Sequence, residues 1–259
     1  MRRPATLAVF LSLLALLFLT GCNKLRARDE LNKGVRAYKA AQFETAIGHF
    51  QRAIELDPKL LNARIYLATA YASQFVPGSP AEENKKLGQS AIREFEKVLE
   101  ADPNNTTALA YIASLYYGMT DFDKAKEFRR RLIAVDPQNP EHYYSIGVID
   151  WTLAYKPRME LKNKLGLRPD EPIPTRDRRA LAEKSTPLVD EGIEALEKAI
   201  QLNPKYVYAL AYLNLLYREK ADLVDTPQER SHYLDLADEM FDRQKRLREE
   251  MTRGPAPAQ

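Results

Sequence analysis

The sequence predicts an all-α solenoid of helix pairs, and three observations carry that prediction. A segment from Ala125 to Pro137 recurs in variant form at Ala46–Pro58, Ala91–Pro103 and Gly192–Pro204, with a looser copy starting at Ala237. The first four copies close on an Asp-Pro or Asn-Pro step. Between the small opening residue and that step, the apolar residues keep helical spacing. Repetition at this period marks stacked supersecondary units.

Composition narrows the function classes. The chain has 259 residues, 45% hydrophobic and 29% charged, which is a folding rather than a disordered balance. Its formal charge is +3, from 39 basic and 36 acidic side chains. Removing Arg2 and Arg3 with a leader leaves 39 − 2 = 37 basic against 36 acidic groups. That near-neutral balance argues against nucleic-acid binding. One cysteine rules out an internal disulfide, so the fold rests on its apolar core. Fourteen tyrosines beside one tryptophan suit an interaction surface.

At the amino terminus, Met1-Arg-Arg-Pro is a basic leader before an apolar run from about Ala5 to Leu19. That run is shorter than the roughly 20 residues of a membrane-spanning helix. It reads as a signal peptide over residues 1–21. Leu19-Thr20-Gly21-Cys22 then resembles the lipobox of bacterial lipoproteins. The resemblance implies cleavage before Cys22, diacylglycerol on its sulfur and acylation of the new amino terminus. Two or more acyl chains, at about 0.8 kcal/mol per buried methylene, make a stable anchor. Residues 22–26 are expected to be a lipidated tether. Asn23, not Asp, follows the cysteine, so in a cell with two membranes the resemblance implies the outer one, facing the periplasm.

The folded part is expected to span residues 27–250. Its first unit, about 27–60, places Leu31, Gly34, Val35 and Tyr38 on one helix and Ala46, Phe50 and Ala53 on the next, with Phe43 at the turn and Pro58 as the stop. This resembles the tetratricopeptide repeat, a helix–turn–helix unit of about 34 residues in which small residues sit where the helices cross. Further units are expected at about 61–105, 106–139, 140–206 and 207–250. The resemblance implies a right-handed superhelical solenoid of five such pairs. In the fourth unit Asp150 stands where an aromatic is common, and Gly192 replaces the usual alanine. The charged stretch Arg243–Glu250 reads as the polar cap of the stack. Residues 251–259 are expected to form a disordered tail.

Three units carry extra residues. Ser79-Pro80-Ala81-Glu82 and Thr226-Pro227-Gln228-Glu229 both have the form of a capping box with proline at the first helical position. Each predicts a second helix lengthened at its amino end. In unit four, residues of about 153–186 predict a helical hairpin projecting beyond the solenoid, its tip near Pro169–Pro174 and its returning helix kinked or interrupted at Pro187. Nine Lys/Arg against five Asp/Glu between Lys156 and Lys184 are an excess that a partner or lipid head groups could use.

No catalytic constellation is evident. His49, His142 and His232 fall in different units without metal-ligand spacing, and there is neither a phosphate loop nor a nucleophile elbow. We expect no enzyme activity, cofactor or metal. Mapped onto the groove positions of the resembled repeat, Tyr38, Lys39, Tyr117, Tyr144, Trp151, Tyr208 and Arg218 are the leading partner-binding residues. The expected function is a membrane-anchored scaffold of the cell envelope holding a protein or peptide in that groove. Its layout is similar to the repeat lipoproteins of outer-membrane barrel assembly and to pilotins. The alternatives are an adaptor of periplasmic peptidoglycan enzymes, and a small-molecule-binding, lipid-binding or hydrolytic envelope protein.

Overall fold

A single turn, used four times, sets the helix ends. Asp57, Asp102, Asp136 and Asn203 each precede a proline, whose ring disfavours the α conformation of the residue before it. Each donates its N–H four residues back, to Ala53, Val98, Leu132 and Ala199 at 2.8–3.0 Å. Each then accepts from the residue three ahead, so the next helix starts at the same offset every time.

The structure, a computed structural model, describes residues 4–253, with side chains from 22 to 252. The described residues form ten α-helices and no strand. The leader reading of residues 1–21 and most of the tail reading of residues 251–259 lie outside the described side chains. The chain divides into two compact units at Phe128 and Arg129.

The first unit contains α1 (Pro4–Lys39), α2 (Phe43–Leu56), α3 (Leu61–Ala72), α4 (Glu82–Ala101), α5 (Thr106–Gly118) and the start of α6 (Phe122–Val135). Helices α1 to α5 pack in succession, from α1 on α2 through α4 on α5. Phe50 and Phe95, both fully buried, stack on Tyr66 and Tyr111 of the following helix with centroids 5.6 and 4.9 Å apart. Residues 22–26, the expected tether, are helical and continue α1 without a break, as helix formers follow Cys22 with no proline to stop them. One correction arises here. Ser79 does not cap α4, which starts at Glu82 with Ala81 at its N-cap and no side-chain cap bond. Asn84 instead accepts from the Val76 N–H (2.7 Å) and donates to the carbonyls of Val76 and Ser79. The helix is nonetheless long, 20 residues against 14 for α2.

The second unit contains the rest of α6, then α7 (Pro140–Leu165), α8 (Thr175–Leu202), α9 (Val207–Ala221) and α10 (Pro227–Arg253). Asn139 caps α7 by accepting from the Glu141 N–H, and Pro140 takes the first turn. Thr226 forms the reciprocal box at α10: its Oγ1 accepts from the Glu229 N–H at 3.1 Å, and Glu229 accepts from the Thr226 N–H. α10 runs through Arg253, into the segment expected as tail. α8 runs through Pro187 without interruption, with Ser185 and Val189 buried on either side.

The segment between α7 and α8 also departs from expectation. It does not project free of its unit. Gly166, in the left-handed conformation at φ 69°, ends α7, and the turn folds onto the α9–α10 connection. Ile173 is 2% exposed and joins the core with Leu223. Lys162, with no exposed side-chain surface, places Nζ 2.6 Å from Asp222 and donates to the carbonyls of Pro169 and Glu171 at 2.8 and 2.7 Å. Arg158 pairs with Glu219 (2.6 Å) and Asp222 (2.9 Å), and Arg178 with Asp225 (3.0 Å). Arg230 of α10 donates to the Asp170 carbonyl. Three of the nine basic residues read as available to partners are therefore held internally. Burial pushes the Glu219 carboxyl up to about 7, with Arg158 acting against the rise.

Candidate functional site

Tyr144, Trp151 and Tyr155 stand seven and four residues apart on α7, the spacing that keeps side chains on one helical face. α7 packs on α9 as well as α8, which brings Tyr206 and Tyr212 against that face. The result is a continuous run of rings. Tyr206 meets Tyr144 at 5.0 Å, Tyr144 meets Tyr212 edge-on at 5.7 Å, Tyr212 meets Trp151 edge-on at 5.3 Å, and Trp151 meets Tyr155 at 5.0 Å. Offset and edge-on pairs of this kind hold one another in place, at ~0.5–1.5 kcal/mol each beyond burial. The Arg158 guanidinium lies 5.7 Å from the Tyr155 ring, joining the run to the buried ion cluster.

The Tyr206 hydroxyl donates to the Glu141 carboxylate at the open end. Burial and that carboxylate raise the phenol's pKa well above its ordinary value. Tyr217 behaves likewise through burial and its bond to Glu197 at 2.8 Å. Both phenols stay protonated donors. The Trp151 indole N–H is buried without an acceptor among the described residues.

The sequence-predicted residues fall in both units. In the first, Tyr38 bonds the Ser73 hydroxyl at 2.8 Å and meets Phe43 edge-on, Lys39 is exposed, and Tyr117 is 41% exposed beside Phe122. In the second, Tyr144 and Trp151 are brought together through Tyr212, and Tyr208 stands 59% exposed. Arg218 is already engaged, 2.6 Å from Asp238 and 3.3 Å from Asn214. Repeat-pattern reasoning missed Tyr206, Tyr212 and Tyr155, which lie off its groove positions. The tyrosine richness of α7 and α9 was the available signal.

Among the described residues, no group of three His, Cys, Asp or Glu is placed to hold a metal ion. His49 bonds Glu30 at 2.8 Å, and His142 is buried, its pKa lowered by that burial and by Arg129. Cys22 is exposed and free. No helix of the described residues is long and apolar enough to cross a membrane.

Comparison with known proteins agrees with this architecture. A tetratricopeptide repeat family model matches residues 87–146. The crystal structure of MamA aligns over 90% of this chain and 98% of its own, with a TM-score of 0.60 at 17% identity. MamA from Desulfovibrio magneticus RS-1 aligns over 87% and 96%, with a TM-score of 0.58 at 18% identity. YrrB, a TPR protein with an unusual peptide-binding site, aligns over 82% and 84%, with a TM-score of 0.52 at 15% identity. At these identities the likeness is one of fold: a solenoid of tetratricopeptide-type helix pairs. No curated protein sequence matches the chain.

Proposed function

We propose that this protein is a non-catalytic scaffold that holds a segment of a protein partner against the aromatic face of α7 and α9. It is anchored in a bacterial outer membrane through lipid on Cys22 and faces the periplasm. The observation that carries the reading is the interlocked run from Tyr206 to Tyr155 with Tyr208 exposed beside it. Rings already fixed by one another lose little freedom on binding, and tyrosine and tryptophan dominate binding energy where they are packed this way. YrrB's peptide-binding site gives the fold a precedent for such a role.

A photo-crosslinking residue at Tyr208 in the full-length protein, irradiated in cells, tests the site. One discrete adduct is expected, and Tyr144→Ala with Trp151→Ala should abolish it. An adduct unchanged by that pair of substitutions refutes the site. Palmitate labelling of wild type and Cys22→Ser tests the anchor, and label retained in the variant refutes it.

A further inference from the structure

The connection between α3 and α4 makes a second recess that the aromatic face does not use. Phe75 fills the notch left by two glycines: a Cβ on Gly88 would lie 3.1 Å from its ring, and one on Gly118 2.7 Å. The Gly78 N–H donates to the Gly118 carbonyl at 2.9 Å, and Asn84, 7% exposed, holds the Val76 and Ser79 backbone with three hydrogen bonds. The connection is thus pinned rather than loose. It walls a cleft of ≈ 640 Å³ whose other sides are the face of α4 and the α5–α6 turn. Ligand clefts are commonly about 300–1,000 Å³.

The cleft's chemistry has two parts. Phe75, Ile92, Tyr116 and Met119 give it an apolar floor. Lys85, Arg93 and Lys124 stand on its rim against Glu96 and Asp121. Lys124 is occupied, lying 4.9 Å over the Tyr116 ring and 3.7 Å from Asp121. Lys85 reaches only the exposed Glu82, at 3.6 Å, and Arg93 donates only to the Ser90 hydroxyl, at 2.8 Å. Two cations with spare donors, against the one remaining carboxylate of Glu96, therefore flank an apolar floor that is fixed in advance. A pinned floor loses little freedom on binding, and the excess of unspent positive charge on the rim selects the sign of the partner.

We propose that this cleft docks an acidic segment of a partner protein, with an aliphatic side chain on the Phe75–Ile92–Met119 floor and carboxylates on Lys85 and Arg93. It is a second contact site, independent of the α7–α9 face.

Fluorescence anisotropy of full-length protein in a nonionic detergent tests it, using fluorescein-labelled peptides of alternating glutamate and leucine, lysine and leucine, or glutamate and serine. The glutamate–leucine peptide should bind saturably, and the other two at least about tenfold more weakly. Lys85→Glu with Arg93→Glu, both at exposed positions, should weaken the glutamate–leucine peptide by about tenfold, while Tyr144→Ala leaves it unchanged. Absence of saturable binding, equal binding of either control peptide, or an affinity unmoved by the double substitution overturns the proposal. Loss on Tyr144→Ala alone assigns the binding to the aromatic face and overturns it as well.

Discussion

Lys162→Met asks the most of the buried cluster. Methionine keeps most of the aliphatic stem, so the change removes three donated bonds while leaving little cavity. The Nζ group it deletes sits 2.6 Å from Asp222 and donates to the carbonyls of Pro169 and Glu171. Breaking a buried pair from one side costs about 3–5 kcal/mol. Asp222 keeps Arg158 at 2.9 Å, which pulls the estimate toward the lower end. The two carbonyls lose their charged donor, and an unsatisfied buried acceptor costs about 1–3 kcal/mol. The expected loss is therefore about 3–5 kcal/mol, a large share of the roughly 5–15 kcal/mol that holds a folded protein together. Trp151 is the single tryptophan and belongs to the same unit, so urea unfolding followed by its fluorescence reads the cluster's own half of the chain. Hydrogen exchange should show the 166–174 turn opening first. A destabilisation below about 1 kcal/mol, with protection of that turn unchanged, would refute the clasp, because a surface lysine behaves that way.

Glu219 makes stability depend on pH. Its folded carboxyl titrates near 7 against 4.5 unfolded, so the folded state holds the extra proton between those values. Its contribution is full below 4.5 and declines by about 3 kcal/mol as pH rises to 7, and Glu219→Gln should flatten that slope in unfolding titrations. Gly192→Ala would set a methyl 2.7 Å from Leu216 Cδ1 and 2.9 Å from Asp150 Cβ, so thermal unfolding should show a loss of about 1–3 kcal/mol. Thr226→Ala should lose about 1 kcal/mol through its missing cap, whereas Ser79→Ala, with no cap bond to lose, should be near neutral by denaturant titration. Equal effects of the two would mean that the cap geometry is not what stabilises α10.

Helix pairing was legible because its causes are local. Proline after Asp57, Asp102, Asp136 and Asn203 acts on the residue before it, and small residues admit a neighbour whatever the distant sequence is. The two capping motifs show where local reading stops. Thr226 and Ser79 sit in the same four-residue pattern, yet only Thr226 caps, because Asn84 and the Phe75 notch claim the backbone ahead of α4. The cluster around Lys162 left still less trace. Arg158 and Asp222 are 64 positions apart and each looks like a solvated helix charge until the turn between α7 and α8 folds over. Of the aromatic face, Tyr144 and Trp151 were readable from repeat position. Tyr206, at the N-cap of α9, and Tyr155, beyond the standard length of a first helix, were not.

In a solenoid each repeat ordinarily touches only its neighbours, and the chain can fold or fray one repeat at a time. The bonds from Arg158 to Asp222 and from Arg230 to Asp170 lie between two such neighbours, the fourth and fifth units, but join positions 64 and 60 residues apart. Such closures slow folding, since the intervening chain must be ordered before they form, and they bind separate repeats into one cooperative step. The carboxy-terminal pair is then no detachable cap. In the full chain the last four helices should melt as a block, and truncation after α8 should destabilise α7 and α8 by stripping Lys162 and Arg158 of their carboxylates.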